Sequence, residues 1–182
     1  METRKVWRKV DRSDMPQDKR CVKCKWVFKI KRSGVFRARL VACGYSQIAG
    51  VDFMENYSPV VNDVTFRLLL LAMMYFGLTA KIVDVETAFL YGEIEEEIFM
   101  ECPPGMKNVT EKNALALLKC IYGLVQAARQ YYKKFVAILR KIGFKGGDVD
   151  PCLFTRHDKN GHELHSLQVT TENQPTGQEY NI

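Results

Sequence analysis

"KIVDVETAFLYG", residues 81 to 92, is the stretch whose reading decides the fold. An apolar run ends on a lone acid, Asp84, directly before a short apolar-polar turn. Short apolar, β-branched runs read as strands, so "LTAKIVDV" (78–85) predicts a strand leading to Asp84. A carboxylate at that place is a helix cap, a buried structural acid or a metal ligand. Only the third needs acidic partners, because a hard divalent cation collects several oxygens.

Working outward, "DVTFRLLLLAMMYFG" (63–77) predicts a helix with Asp63 or Thr65 as its cap and Gly77 as its stop. It is apolar nearly all round, Arg67 excepted, which places it inside the domain. Downstream, "EEEIFMECPPGM" gives an acidic stretch, a short strand and a Pro-Pro-Gly stop. "NALALLKCIYGL" predicts a strand ending in a turn at Tyr122-Gly123. "QAARQYYKKFVAILRKIG" is an amphipathic helix with Ala127, Tyr131, Phe135, Ile138, Leu139 and Ile142 on one face. Arg129, Gln130, Lys133, Lys134 and Lys141 lie elsewhere on its surface, and Gly143 ends it. "DPCLFTR" starts a further strand. The first 20 residues read as a polar, loose lead-in, and residues 158–182, rich in Gln, Thr and Asn, as an unstructured tail.

Between these ends, "CKWVFKIK" and "VFRARLVAC" read as two strands of a hairpin around Arg32-Ser33-Gly34. Trp26, Phe28 and Ile30 share one face; Lys25, Lys29 and Lys31 share the other. Cross-strand partners must share a face. A two-residue turn would pair Ile30 with Arg37 and fails. A three-residue loop, Ser33 to Val35, pairs Lys31 with Arg37, Lys29 with Arg39 and Phe28 with Leu40. Cations opposite cations cost stability unless water or an anion screens them. The face is therefore either a solvated charged surface or a phosphate-contacting one.

The whole chain has 182 residues, suggesting one domain or one and part of another, with 47% hydrophobic and 26% charged residues. Its net charge of +6 favours an anionic partner. The charged N-terminus gives no secretory signal, and "LLLLAMMYFGL" is too short to span a bilayer, so an intracellular protein, cytoplasmic or nuclear, with no membrane partner is expected. The six cysteines (21, 24, 43, 102, 120 and 152) then read as reduced thiols. Cys21-x-x-Cys24 lacks a second ligand pair, and "HELH" (162–165) lacks the i, i+4 histidine spacing, so no zinc is expected.

Taken together, "CKWVFKIKRSG", "FRARLVACGYSQ", "VDFMENYSPVV", "VDVETAFLYGEIEEEIFMECPPG", "LLKCIYGLVQAARQYYKKF" and "GFKGGDVDPCLF" resemble, in this order, the reverse transcriptase of copia-type retrotransposons. The resemblance covers about residues 21 to 155. It implies an α+β fold, the fingers and partial palm of a right-hand polymerase, with a mostly antiparallel sheet and packed helices. It implies RNA or DNA template-primer and deoxynucleotides as partners and Mg²⁺ as cofactor. Asp84 resembles the first catalytic aspartate of the palm and a metal ligand, with the carbonyl of Val85 as a further contact. Phe89 stands where the family has an aromatic gate against a ribose 2′-hydroxyl; a core phenylalanine is the alternative. Tyr122 and Gly123 resemble the turn beside the incoming nucleotide. Lys29, Lys31, Arg37 and Arg39 lie on the hairpin that covers the triphosphate, and Arg129, Lys133 and Lys134 are candidates for nucleic-acid backbone.

The family pattern also calls for a tyrosine-x-aspartate-aspartate hairpin after "DPCLF". Here "TRHDKNGHELHSLQVTTENQ" follows instead, with Asp158 the last aspartate and Glu163 and Glu172 isolated. Cys43 stands where the family usually has lysine, Ala128 where it has proline, and Tyr131 where it often has tryptophan. A copy truncated before the second acidic motif, incomplete as an enzyme by itself, is the expectation. A non-catalytic nucleic-acid-binding remnant is the alternative.

Overall fold

The computed structural model describes residue 1, residues 4–157 and the backbone of residues 164–168. It is mixed α and β, with two α-helices and three small sheets among the described residues, and divides into two compact units. One comprises Met1–Tyr57 and Val85–Lys134; the other comprises Ser58–Asp84 and Phe135–Ile182.

The first unit is built on a four-stranded sheet. Its strands are β1 (Trp7–Asp11), β2 (Cys21–Val22), β5 (Phe99–Met100) and β6 (Asn113–Leu117), in the order β1-β6-β5-β2. The β2–β5 pair is parallel and the others are antiparallel. Ala114 to Leu117 of β6 are all buried, which explains why "NALAL" shows no alternation: an interior strand covered on both faces needs none. Val6, Val22, Ile98, Met100 and Ile121 complete this core. Each such side chain contributes about 1.5–3 kcal/mol by leaving water.

β1 corrects the expected loose lead-in. The charges of Arg8 and Lys9 hide an edge strand whose backbone pairs Trp7 with Leu117 and Asp11 with Asn113. One side of an edge strand faces water, and long cationic side chains are common there.

From β2 the chain passes directly into the two-stranded hairpin of β3 (Cys24–Ile30) and β4 (Phe36–Ala42). The three-residue loop length holds, but the loop is Arg32–Gly34: Lys31 N–H donates to the Val35 carbonyl at 2.9 Å, and Gly34 N–H to the Lys31 carbonyl at 2.8 Å. Gly34 (φ +77°) thus takes the left-handed last position of the loop. The register moves by two residues, so Lys29 opposes Arg37, Val27 opposes Arg39 and Phe28 opposes Ala38. A two-residue move preserves every face, and it leaves one cation pair directly opposed where two were expected.

The second unit holds α1 (Asp63–Phe76) and the antiparallel sheet β7-β8-β9 (Lys145–Gly146, Leu153–His157, Leu164–Gln168). Asn62 caps α1, its side-chain oxygen accepting from Val64 and Thr65 N–H, rather than Asp63 or Thr65. Gly77 ends it at φ +64°, as expected. None of its residues is buried, which corrects the expectation of an interior helix. The predicted strand 78–85 is also absent: the segment has no regular structure, and Ile82 and Val83 are exposed. A strand exists only where a neighbour takes its backbone groups, and no described residue pairs with this one. β9 lies within the expected unstructured tail; residues 158–163 and 169–182, with Glu163 and Glu172, lie outside the described residues. α2 (Ala127–Lys141) forms as predicted, although Gln130 is buried rather than on the surface. No helix among the described residues is long and apolar enough to cross a membrane.

Candidate nucleotide and nucleic-acid site

The Tyr122-Gly123 turn is fixed by close approach to the base of the hairpin. Gly123 has φ +88°, and a Cβ there would collide with the Ala42 carbonyl and with Val41. A Cβ on Gly44 would in turn strike the Gly123 carbonyl. Ala42 N–H donates to the Tyr122 carbonyl at 2.8 Å. Only glycine fits at both positions, so the dipeptides Tyr122-Gly123 and Cys43-Gly44 interlock.

That interlock brings together four of the residues singled out by sequence. The Arg39 guanidinium carbon lies 5.4 Å from the centre of the Tyr122 ring, a cation–π arrangement. Tyr122 meets Phe89 edge to face, with centroids 4.8 Å apart at 82°. Tyr131 of α2 meets the same ring at 6.3 Å and 84°. Phe89 is 7% exposed, so its ring offers an edge at most. The buried Nε of Arg39 has no hydrogen-bond partner. An unsatisfied buried donor costs about 1–3 kcal/mol until an acceptor reaches it.

Phe89 sits in a 3-10 turn, Ala88–Tyr91, entered through Thr87 at φ +55°. A β-branched residue in left-handed conformation is strained, and the Arg4 guanidinium holds this one through its hydroxyl. Such strain persists only where surrounding contacts enforce it.

A buried polar network, missed by sequence reasoning, holds residues 44–52 against the start of α2. Gln126, fully buried, donates to the Asp52 carbonyl at 3.0 Å and to Glu96 at 3.3 Å. Gln47 donates to the Gln126 side-chain oxygen at 3.1 Å and accepts from Val125 N–H at 2.8 Å. Asp52, also buried, accepts from Ile48 N–H at 2.7 Å. Nothing in the periodicity marks these residues, because polar groups in a core break the pattern that finds cores.

The remaining candidates are placed less favourably. Lys29, Lys31 and Arg37 are exposed on the hairpin. The three candidate cations of α2 are each held by a glutamate: Arg129 by Glu55, Lys133 by Glu95 at 2.8 Å and Lys134 by Glu93 at 2.7 Å. Lys134 and Lys133 lower the pKa of Glu93 and Glu95 through these hydrogen bonds.

Asp84 is exposed, Val85 is half-buried, and the boundary between the two compact units falls between them. No group of three metal-ligating side chains occurs among the described residues. A lone exposed carboxylate does not fit a two-metal centre, which needs several oxygens on each ion.

Two of the thiols are chemically quiet. Burial, followed by the charge of Glu101, pushes Cys24 up to about 11, and burial above all pushes Cys120 up to about 12. Both stay protonated at neutral pH.

Residues 4–171 match the family described as reverse transcriptase (RNA-dependent DNA polymerase). The chain belongs to that family. It is 41% identical over 163 residues to the retrovirus-related Pol polyprotein from transposon TNT 1-94 of Nicotiana tabacum, covering 86% of this chain and 12% of that protein. It is 35% identical over 139 residues to the Pol polyprotein from transposon RE2 of Arabidopsis thaliana, covering 73% and 10%. The transposon Ty1-ER2 Gag-Pol polyprotein of Saccharomyces cerevisiae is 26% identical over 169 residues, covering 82% and 9%. These are copia-type elements, and the chain spans about a tenth of their length. No solved structure matches it significantly.

Proposed function

We propose that this chain is the fingers and partial palm of a copia-type reverse transcriptase, able to engage nucleotide and nucleic acid but not to extend a primer by itself. The observation that carries this reading is the convergence of Arg39, Tyr122, Gly123 and Phe89 on one interlocked turn. In this reading Arg39 meets the triphosphate with Lys29, Lys31 and Arg37 around it, and its unpartnered Nε gains an acceptor. The Phe89 edge crowds a ribose 2′-hydroxyl, backed by Tyr122 and Tyr131. Asp84 is the first metal-binding acid, with the Val85 carbonyl beside it, and Mg²⁺ supplies charge neutralisation at the reacting phosphate when a full ligand set holds it. The residues described do not make that set, so no chemical step is assigned to them. Contact of Arg129, Lys133 and Lys134 with nucleic acid would require opening their glutamate pairs, which leaves the hairpin as the main source of affinity.

Equilibrium binding of dATP and ATP tests the nucleotide half of the proposal. Arg39→Gln should weaken both ligands about tenfold, the loss of one charge-assisted hydrogen bond. Phe89→Ala should erase the preference for dATP while leaving dATP affinity nearly unchanged. Equal affinities for dATP and ATP in the unmodified chain would remove the gate from this reading.

A further inference from the structure

The β3–β4 hairpin has a second face, which the nucleotide reading leaves unused. Side chains alternate across a strand, so the observed register gathers Trp26, Phe28 and Ile30 with Leu40, Ala38 and Phe36. Every cation of the two strands, Lys25, Lys29, Arg37 and Arg39, falls on the opposite face. The apolar face therefore carries no charge, and much of it is open to solvent. Trp26 is 39%, Phe28 75%, Ile30 59% and Phe36 82% exposed. A contiguous exposed apolar patch of this kind marks an interaction surface.

The face also has a fixed relief. Trp26 and Phe28 lie nearly parallel, with planes 22° apart, and the Trp26 indole N–H donates to the Pro104 carbonyl at 3.0 Å. Ala38 stands opposite Phe28 and between Phe36 and Leu40 on its own strand. Its small side chain leaves a notch beside the protruding Phe28 and Phe36. A knob and a notch on one face are what a twofold axis pairs reciprocally, each copy's ring over the other copy's notch.

Size and charge select a second copy as the occupant. At about 150–250 Å² for a whole aromatic side chain, the exposed parts of these four residues amount to roughly 500 Å² on one copy. Two copies would bury about 1,000 Å² in all, the least that a specific interface needs. Packed face to face, two sheets stand about 10 Å apart, and the cations of each copy point away from the contact. They are then separated by more than the physiological Debye length of about 8 Å, so like charges do not oppose closure. An acidic partner, by contrast, would meet no cation on this face.

The geometry points to a homodimer closed by the apolar face of the hairpin, with Phe28, Ile30 and Phe36 of one copy packed on the same face of a second and each Ala38 notch filled by a ring of the other copy. The inference goes beyond the proposed function and does not depend on it, since the cationic face of each hairpin stays free.

Sedimentation equilibrium over a range of protein concentrations tests it, with circular dichroism to check the fold of each variant. The unmodified chain should dimerise. Phe28→Ala/Phe36→Ala should weaken association about a hundredfold or more through loss of the central rings. Ala38→Glu, which keeps both rings but sets a charge into the contact, should weaken it as much. Lys29→Gln/Arg37→Gln, on the opposite face, should leave association within about threefold. A chain that stays monomeric at every concentration overturns the inference. So does a dimer that survives both apolar-face variants, or one that only the charge variant dissociates, because the contact then lies elsewhere. If the ring variant leaves association unchanged and instead weakens binding of a labelled single-stranded oligonucleotide, the face serves nucleic acid and the homodimer is likewise overturned.

Discussion

Leu115 in β6 is fully buried, whereas Leu71 in α1, from an equally apolar stretch, is 62% exposed. Both stretches are read correctly as regular structure; α1 satisfies its backbone internally, whereas β6 bonds to the strands on either side. The difference lies in partners. β6 has β1 along one edge and β5 along the other, and Ala114 to Leu117 are buried in the core to which Val6 and Ile98 also belong. α1 has a good cap and a good stop, yet none of its residues is buried. Hydrophobicity supplies the driving force for burial, and only complementary surface turns it into stability.

The contrast can be broken at several places, the strongest at the interlocked glycines. Gly123→Ala should cost about 3 kcal/mol or more in chemical denaturation, since it adds a backbone collision to a left-handed conformation. Gly77→Ala, also left-handed but in open space, should cost only about 1 kcal/mol. Equal losses would mean that the hairpin and the Tyr122 turn are not interlocked.

Leu115→Ala comes next, at roughly 3 kcal/mol from lost burial and the cavity left behind. Leu71→Ala should fall within about 0.5 kcal/mol, as exposed substitutions do. A large loss at Leu71 would show that α1 is covered in solution. Gln126→Ala should cost about 2 kcal/mol, because Gln47 and Glu96 each lose a partner in or near the core.

The smallest effect concerns pH. Lys134 and Lys133 depress Glu93 and Glu95, so the pairs contribute above the ordinary carboxylate range and fade as pH falls through the lowered folded values. Exposed pairs contribute little, and Lys133→Gln/Lys134→Gln should shift the acid unfolding limb slightly and leave neutral stability nearly unchanged. A marked loss at neutral pH would assign these lysines a larger role than an exposed pair can supply.

Much of this was legible in the sequence, and the gaps have physical causes. The faces of the hairpin follow from alternation, and its loop length from the need to match them. The register was set two residues off because both alternatives keep the faces, and only the left-handed demand at Gly34 separates them. β1 was hidden because an edge strand with Arg8 and Lys9 outward looks like any polar segment. The predicted strand at 78–85 has the right composition and lacks a ladder partner. At the site, Tyr122-Gly123 announced a turn, but the reason for Gly123 lies 81 positions away at Ala42. The same distance problem conceals the Glu93, Glu95 and Glu55 partners of α2, which turned an expected cationic surface into paired charge. Asp84 was legible as the acid that ends an apolar run, and it is exposed at the boundary between the two compact units.

Primer extension on an RNA template with Mg²⁺ and all four deoxynucleotides, run beside Asp84→Asn, tests the proposed function most directly. The expected result is no extension by either protein, while salt-dependent nucleic-acid binding persists with and without Mg²⁺. Extension by the unmodified chain that disappears in Asp84→Asn would contradict this, and would mean that further acids complete a metal site around Asp84.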